Sequence, residues 1–326
     1  MIAVIGTGAW GTTMALVAAA ARHPVVLWGR DPLKTSELAR ARRHPGLGDT
    51  VLPDGLSVTA DMSALTAADI ILWAVPTQHT RAMARRLAAV LPASVPVVSL
   101  TKGIEESSLA LVSEIFAAEL GSRPTAVLSG PSHAIDKCQG LPACLVAAGD
   151  ALTCRRLVEL YHGQRLRIYT STDVVGVELC GALKNVIAVA SGMCEGLKLG
   201  DNARAALIAR GLAEMRRLGR AVGAQDATFA GIAGVGDLLT TCYAPHGRNR
   251  ALGLALAHGQ NPVDFLRKAR TVAEGAWTSR AAVEFGRRHG VELPIAAQVA
   301  AVIWDAVPVA QAVHQLLSRA PKEDDA

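Results

Sequence analysis

A doubly wound α/β sheet followed by an all-helical domain is the fold this chain predicts, on three observations. Short β-rich apolar runs alternate with longer helical stretches through the first half. A glycine-rich turn joins the first run to the first helix. From about Asp173 onward, strand-like runs give way to Ala/Leu-rich segments with helical spacing. A length of 326 residues suits two domains, and the switch in periodicity puts them at 1–172 and 173–326. Apolar residues make up 51% and charged residues 19%, so a sizeable core can form and extensive disorder is not expected.

The runs expected as strands are Ile2–Ile5, Val25–Trp28, Ile70–Val75, Val97–Leu100, Ala126–Leu128 and Cys144–Ala147, and the first helix is expected over Thr12–Ala21. In the second half the helical segments are 173–198, 202–222, 249–258, 274–289 and 295–305, broken by Gly or Pro. No apolar run is read as long enough to cross a bilayer, which takes about 20 residues. Met1-Ile2-Ala3-Val4-Ile5-Gly6 has no basic residue ahead of its apolar ones, so it reads as a buried strand rather than a secretory signal, and a cytoplasmic protein is expected. Residues 321–326, Pro-Lys-Glu-Asp-Asp-Ala, read as a solvated tail.

Thirty-three Lys and Arg against 28 Asp and Glu give a net charge of +5, an excess that suits an anionic small molecule as readily as nucleic acid. Aromatics are only 4%, leaving few platforms for base stacking, and the basic pairs Arg85-Arg86, Arg216-Arg217 and Arg287-Arg288 read as solvated helix faces. No nucleic-acid partner is expected. The six cysteines form no C-x-x-C, which reads as free thiols in a reducing compartment rather than a metal site.

Gly6-Thr7-Gly8-Ala9-Trp10-Gly11 is G-x-G-x-x-G, set between a strand and a helix as the phosphate-binding turn of a Rossmann-type fold requires. Gly6 permits the tight turn, Gly8 lets a pyrophosphate approach the backbone, and Gly11 packs helix on strand; free amides at the helix start meet the phosphate charge. Cofactor choice depends on the end of the second strand. A count of about 20 residues from the last glycine lands on Asp31, a partner for an NAD ribose. Strand register instead puts Gly29 after Trp28 and Arg30 next, which removes the carboxylate and offers a cation to a 2′-phosphate. Register is preferred, because strand ends are set by packing while loop lengths vary. NADP(H) is therefore expected, with NAD(H) not excluded; the other reading of Arg30 is a solvated loop cation.

Past other strand ends come Val75-Pro76-Thr77, Thr101-Lys102-Gly103 and Ser129-Gly130-Pro131-Ser132, candidates for the crevice where open sheets bind ligands. Between Leu179 and Cys194, Lys184 is the sole charge. Such a lysine either snorkels or is a desolvated amine tuned for proton transfer. Ala233-Gly234-Val235-Gly236-Asp237 sets a carboxylate on a glycine-rich turn, as a partner for that amine or as a helix N-cap. Gly247-Arg248-Asn249-Arg250 reads as a loop with a bidentate phosphate ligand, ahead of Val272-Ala273-Glu274-Gly275.

These stations, with A-V-P-T (74–77), S-G-P-S (129–132), G-A-L-K-N (181–185) and G-D-N-A-R-A-A-L (200–207), make the chain resemble the bacterial NAD(P)-dependent glycerol-3-phosphate dehydrogenase family from Gly6 to about Pro294. The resemblance implies reversible hydride transfer between NAD(P)H and dihydroxyacetone phosphate, supplying glycerol 3-phosphate for phospholipid synthesis. It implies that Lys184 is the general acid/base with Asp237 beside it. Lys102, Gly130, Ser132, Lys184, Asp237, Gly247, Arg248 and Asn249 would hold the substrate. Ala9, Trp10, Arg30, Lys102, Ala134, Arg248, Val272 and Glu274 would meet the cofactor. No metal is implied; a phosphorylated small molecule is the partner, without membrane insertion, and a homodimer is compatible with it. The chain departs from the family's usual pattern at His133, where an aromatic residue is common, and at Gly247, where a serine is. The competing readings are a relative that reduces another phosphorylated ketone and a non-catalytic NADP(H) sensor.

Overall fold

The computed structural model describes residues 1–268 and 273–320, so Val272 and the expected tail at 321–326 lie outside the described residues. The chain divides into two compact units: Met1–Thr101 with Val112–Val174, and Lys102–Leu111 with Val175–Ala326. Where the sequence reading keeps 1–172 together, the segment Lys102–Leu111 groups with the helical unit, carrying Lys102 with it.

The first unit is built on eight strands: β1 Ile2–Ile5, β2 Val25–Trp28, β3 Leu56–Thr59, β4 Ile70–Trp73, β5 Val97–Ser99, β6 Thr125–Ser129, β7 Ala143–Gly149 and β8 Leu166–Ser171. Their order is β3-β2-β1-β4-β5-β6-β7-β8, parallel throughout except where β7 runs against β6. Six are the expected runs. β3 and β8 were not expected; they are the two edges, where burial alternates or fades and no continuous apolar run forms (Leu166 and Ile168 inward, Arg167 and Tyr169 outward). Inner strands are buried on both faces. Alternate residues feed different cores: Ile2, Val4, Leu27 and Leu72 pack with Met14 and Tyr161, while Ala3, Ile5, Trp28 and Trp73 pack with Met83 and Phe116. Trp73 meets Phe116 edge-on, ring centroids 5.3 Å apart.

Because β1 is followed outward by β2 and β3 and then inward by β4, the order reverses between β1 and β4. Open sheets bind ligands at such a reversal, just past the strand ends. Gly6 follows β1 there, its neighbour Ala74 following β4.

The second unit is helical. Val174–Gly196, Gly200–Ala221, Arg248–Ala257, Glu274–Arg288 and Pro294–Trp304 correspond to the five expected segments, and Asp226–Ala230, Asp237–Tyr243, Pro262–Lys268 and Val309–Leu317 add shorter helices. Two expectations are corrected. Val174–Gly196, at 23 residues, is long and apolar enough to cross a membrane by length and composition, contrary to the sequence reading. Lys184 is nevertheless only one position within a stretch, Gly176–Cys194, that is buried throughout, which makes this the central helix of the unit. Residues 248–250 are not a loop but the first turn of a helix whose N-cap is Gly247. The cap has no side chain, so the helix begins with Arg248 itself.

One buried carboxylate ties this unit together from afar. Glu214, on the Gly200–Ala221 helix, accepts the Ile295 amide at 2.7 Å and so satisfies an orphan donor at the start of the Pro294–Trp304 helix. Burial pushes its carboxyl up to about 7, against the pull of the Ile295 and Ala296 amides and the charges of Arg217 and Arg319. A carboxyl whose pKa is raised on folding binds its proton more tightly in the native state, so stability is lost as pH rises from about 4.5 to about 7. Glu214→Gln keeps the acceptor and removes the charge. It is expected to flatten that part of the stability profile, with a gain of up to ~3 kcal/mol above pH 7, measured by denaturant unfolding at several pH values.

Candidate active site

In the first unit the glycine-rich turn has the shape a dinucleotide needs. Gly6 has φ +116°, and a Cβ there would lie 2.6 Å from the Ala74 carbonyl oxygen; one on Gly11 would lie 2.2 Å from the Gly6 oxygen. Gly8 is different: a Cβ would meet nothing within 4 Å. The open space sits over the N-terminus of the Ala9–Ala20 helix, which has no side-chain cap. Ala9, Trp10 and Gly11 therefore form its first turn, with amides available for phosphate. This cradle fits a pyrophosphate. Ala134 begins the short Ala134–Cys138 helix, which packs on the same helix through Thr13 and Cys138, 3.1 Å apart.

The end of β2 follows strand register. A Cβ on Gly29 would come 2.2 Å from Thr35 Oγ1, so no carboxylate side chain fits there. Asp31 is occupied as the N-cap of the Pro32–Ala41 helix, accepting the Leu33 and Lys34 amides at 3.1 and 3.2 Å. Arg30 is exposed just past the strand. Gly130 follows β6 with φ +138°, and Ser132 Oγ donates back to its carbonyl at 2.9 Å. His133 sits at the N-cap position of the Ala134–Cys138 helix without capping it. Lys137 gives its ammonium to the carbonyls of Leu141, Gln164 and Arg165, a turn-closing role.

In the second unit, Lys184, Lys102 and Asp237 come together. Lys184 Nζ donates to Asp237 Oδ1 at 2.6 Å, and Lys102 Nζ donates to Asp237 Oδ2 at 2.6 Å, so each carboxylate oxygen takes one ammonium. Lys184 cannot snorkel from a helix buried on every side; its side chain is 8% exposed and that of Asp237 is 2%. Lys102 is the more open, at 17%. Asp237 is not a cap. A π-helical turn, Ile232–Gly236, replaces the expected loop and delivers Asp237 as the first residue of the Asp237–Tyr243 helix. Thr241, one helical turn on, accepts from Lys184 Nζ at 2.6 Å and donates to the Asp237 carbonyl at 2.7 Å. The sequence reading missed Thr241, although its i+4 spacing from Asp237 would have found it had Asp237 been read as helical.

Burial pulls the Lys184 amine down, Asp237 raises it and the Lys102 charge lowers it again, leaving it at about 8. For Asp237, burial would raise the carboxyl, but the two ammonium groups overcome it and hold the group well below the usual carboxylate range. The cluster carries two positive charges and one negative, a net cation suited to an anionic ligand.

Beside it, Asn249 Nδ2 donates to Asn185 Oδ1 at 2.8 Å, and the Gly275 amide donates to Asn249 Oδ1 at 3.0 Å. This relay holds the starts of the Arg248 and Glu274 helices against the helix of Lys184. Asn185 is another residue that the sequence reading did not single out. Arg248 keeps an exposed side, and desolvation by the protein around it lowers its guanidinium while the Glu274 carboxylate works in the opposite direction.

A glycine-rich turn with the shape for a pyrophosphate, at the reversal of a doubly wound sheet, defines the class: a dinucleotide-binding fold of the Rossmann type. Comparison with known proteins gives the family. The models for the N-terminus and C-terminus of NAD-dependent glycerol-3-phosphate dehydrogenase match residues 1–154 and 173–314. The chain is 44% identical over 329 residues to a glycerol-3-phosphate dehydrogenase [NAD(P)+] of Halorhodospira halophila, covering 99% of this chain and 98% of the relative. It is 41% identical over 324 residues to that of Gluconobacter oxydans, covering 99% and 98%. The crystal structure of the Coxiella burnetii glycerol-3-phosphate dehydrogenase superposes with a TM-score of 0.94 at 37% identity, over 98% of each chain. The chain belongs to the NAD-dependent glycerol-3-phosphate dehydrogenase family.

Removing the shared counter-charge tests the geometry directly. Asp237→Asn leaves two ammonium groups against a neutral amide, and is expected to destabilise the fold by about 3 kcal/mol at pH 7 in denaturant titrations. With its partner gone, the native pKa of Lys184 falls below about 8, so the amine discharges earlier in the variant and the loss should shrink as pH rises toward about 8.

Proposed function

We propose that this chain is an NAD(P)-dependent glycerol-3-phosphate dehydrogenase that interconverts dihydroxyacetone phosphate and sn-glycerol 3-phosphate. The observation that carries the reading is the buried Asp237 carboxylate with one lysine on each oxygen. The nicotinamide, when bound, supplies or accepts the hydride at substrate C2. Lys184 supplies the proton. In the reducing direction its ammonium passes a proton to the carbonyl oxygen as C2 gains hydride, and the neutral amine that remains is one the surroundings tolerate, because burial has already lowered its pKa. Asp237 and Thr241 keep Nζ aimed, and Lys102 adds a charge that polarises the same oxygen.

Arg248 is assigned to the phosphate, where a planar guanidinium can grip two oxygens and turn remote binding energy into positioning. Asn249 has its oxygen and one N–H engaged by the protein, which leaves its second N–H for substrate. Gly130, Ser132 and Gly247 are assigned to substrate as well. Gly6, Gly8, Ala9, Trp10, Gly11, Arg30, Lys102, Ala134, Arg248 and Glu274 are assigned to the cofactor. Arg30, with no carboxylate able to stand at position 29, favours NADP(H). Glycerol 3-phosphate is the backbone of phospholipids, and we place the enzyme in that synthesis. Six free cysteines support a reducing, cytoplasmic setting.

Spectrophotometric assay of dihydroxyacetone phosphate with NADPH and NADH is the primary test; no oxidation of either cofactor would refute the reading. Lys184→Ala is expected to abolish turnover while NADPH still binds, as followed by fluorescence. In the wild type, reduction needs the ammonium and should fall as pH rises through about 8, whereas oxidation of glycerol 3-phosphate needs the free amine and should rise through the same region.

Arg30→Ala should weaken NADPH roughly tenfold or more and NADH little, read from the two dissociation constants. Equal losses would make Arg30 a bystander.

A further inference from the structure

The motif G-D-N-A-R-A-A-L (200–207) has no task in the chemistry above, yet its arginine is turned inward. The Arg204 side chain is 13% exposed. Its Nε donates to Ser191 Oγ at 2.9 Å and its Nη2 to the Cys242 carbonyl; Nη1 lies 3.4 Å from Glu195 Oε2. The guanidinium stacks over the Tyr243 ring, 4.3 Å from its centroid. Ser191 itself donates to the Cys242 carbonyl at 3.3 Å, and Glu195 is also gripped by Arg250, whose Nε is 2.6 Å from Oε2.

Those partners fall on three helices that carry the proposed site. Ser191 and Glu195 lie on the helix of Lys184, Cys242 and Tyr243 end the helix that Asp237 begins, and Arg250 is on the helix of Arg248. The Asp237–Tyr243 helix is only seven residues, about 10 Å long. One end holds the carboxylate between two ammonium groups. The other presents carbonyls with no partner of their own within the helix. Asp237 and Thr241 tie its first turn to Lys184, and in a rod so short any shift of the far end is passed to Oδ1 and changes its place relative to Nζ. Arg204 takes the far-end carbonyl and pins it to Ser191, two turns along from Lys184.

We propose that Arg204 is a positioning residue that sets the placement of Asp237 against Lys184 by clamping the C-terminal end of the Asp237–Tyr243 helix to the Val174–Gly196 helix. The proposal rests on the reading of Lys184 and Asp237 as the proton-transfer pair. The planar fork and the stacking face are both used, so lysine, a point charge, cannot replace it. Arg204 touches neither Nζ nor the Asp237 carboxylate in the contacts described; it acts through the helix.

The test combines kinetics with a direct titration. Arg204→Ala and Arg204→Lys are compared with Arg216→Ala, a change on the same helix as Arg204 that removes a peripheral ion pair to Asp226 of the Asp226–Ala230 helix. Both Arg204 variants are expected to lose roughly tenfold to a hundredfold in kcat, with KM for dihydroxyacetone phosphate changed by less than about threefold. In protein carrying [13Cε]lysine, with the Lys184 resonance assigned by Lys184→Met, they should shift its titration midpoint by about half a pH unit or more. Arg216→Ala should change melting temperature alone. If Arg204→Ala does not fold, Ser191→Ala, which removes the acceptor of Arg204 Nε and a donor to the Cys242 carbonyl but little volume, should show a smaller shift of the same sign. A wild-type kcat and an unmoved Lys184 titration in folded Arg204→Lys and Ser191→Ala would overturn the proposal. If the wild type fails to reduce dihydroxyacetone phosphate, the activity reading falls while the titration still decides the role of Arg204.

Discussion

One carboxylate shared by two lysines is the constraint around which the helical unit is arranged. Burying Asp237, Lys184 and most of Lys102 costs several kcal/mol per ion before any pairing, and the cost is offset only while both carboxylate oxygens and both ammonium groups keep their partners. That requirement explains why the central helix is apolar along nearly its whole length yet breaks the pattern at Lys184. It also explains why the chain spends an irregular π-helical turn to bring Asp237 to the start of a helix, with Thr241 one turn away. The price appears as a lowered lysine pKa, which is the property an acid/base group working near neutrality needs.

The α/β unit answers a different demand. Its inner strands are buried on both faces, so their ends are held to within the tolerance of the packing, and the reversal between β1 and β4 leaves a gap at those ends. The glycine-rich turn sits there because only glycine tolerates the closeness of Gly6 to Ala74 and of Gly11 to Gly6, while Gly8 keeps its space open. Strand packing likewise sets which residues stand at the end of β2. Gly29 is sterically closed to a side chain, Asp31 serves its own helix as a cap, and Arg30 is left as the cation at the strand end.

Much of this was legible in the chain itself. Inner strands declare themselves as unbroken apolar runs, and all six were read. The edges β3 and β8 were missed because a half-buried strand shows alternation, not a run: Leu166-Arg167-Ile168-Tyr169 carries a period of two that a search for apolar stretches passes over. Lys184 stood out as a lone charge, and Asp237 as a carboxylate on a glycine-rich segment. Thr241, Asn185 and Arg204 did not stand out, since a threonine, an asparagine or an arginine within a helix is ordinary until its partner is known.

The sequence by itself therefore determined the element types, the glycine-rich turn between strand and helix, and which lysine and aspartate stand out, because periodicity, glycine spacing and an isolated charge are local signals. Tertiary structure alone decided who meets whom. Lys102 joins the helical unit from a segment 82 positions before Lys184, and Asp237 lies 53 positions beyond it, yet both reach it through long-range helix packing that no local pattern encodes. Asn249 bonds Asn185 across 64 positions for the same reason. A side chain's pKa, its partner and its task depend on the dielectric and the charges around it, and those exist only once the helices have packed.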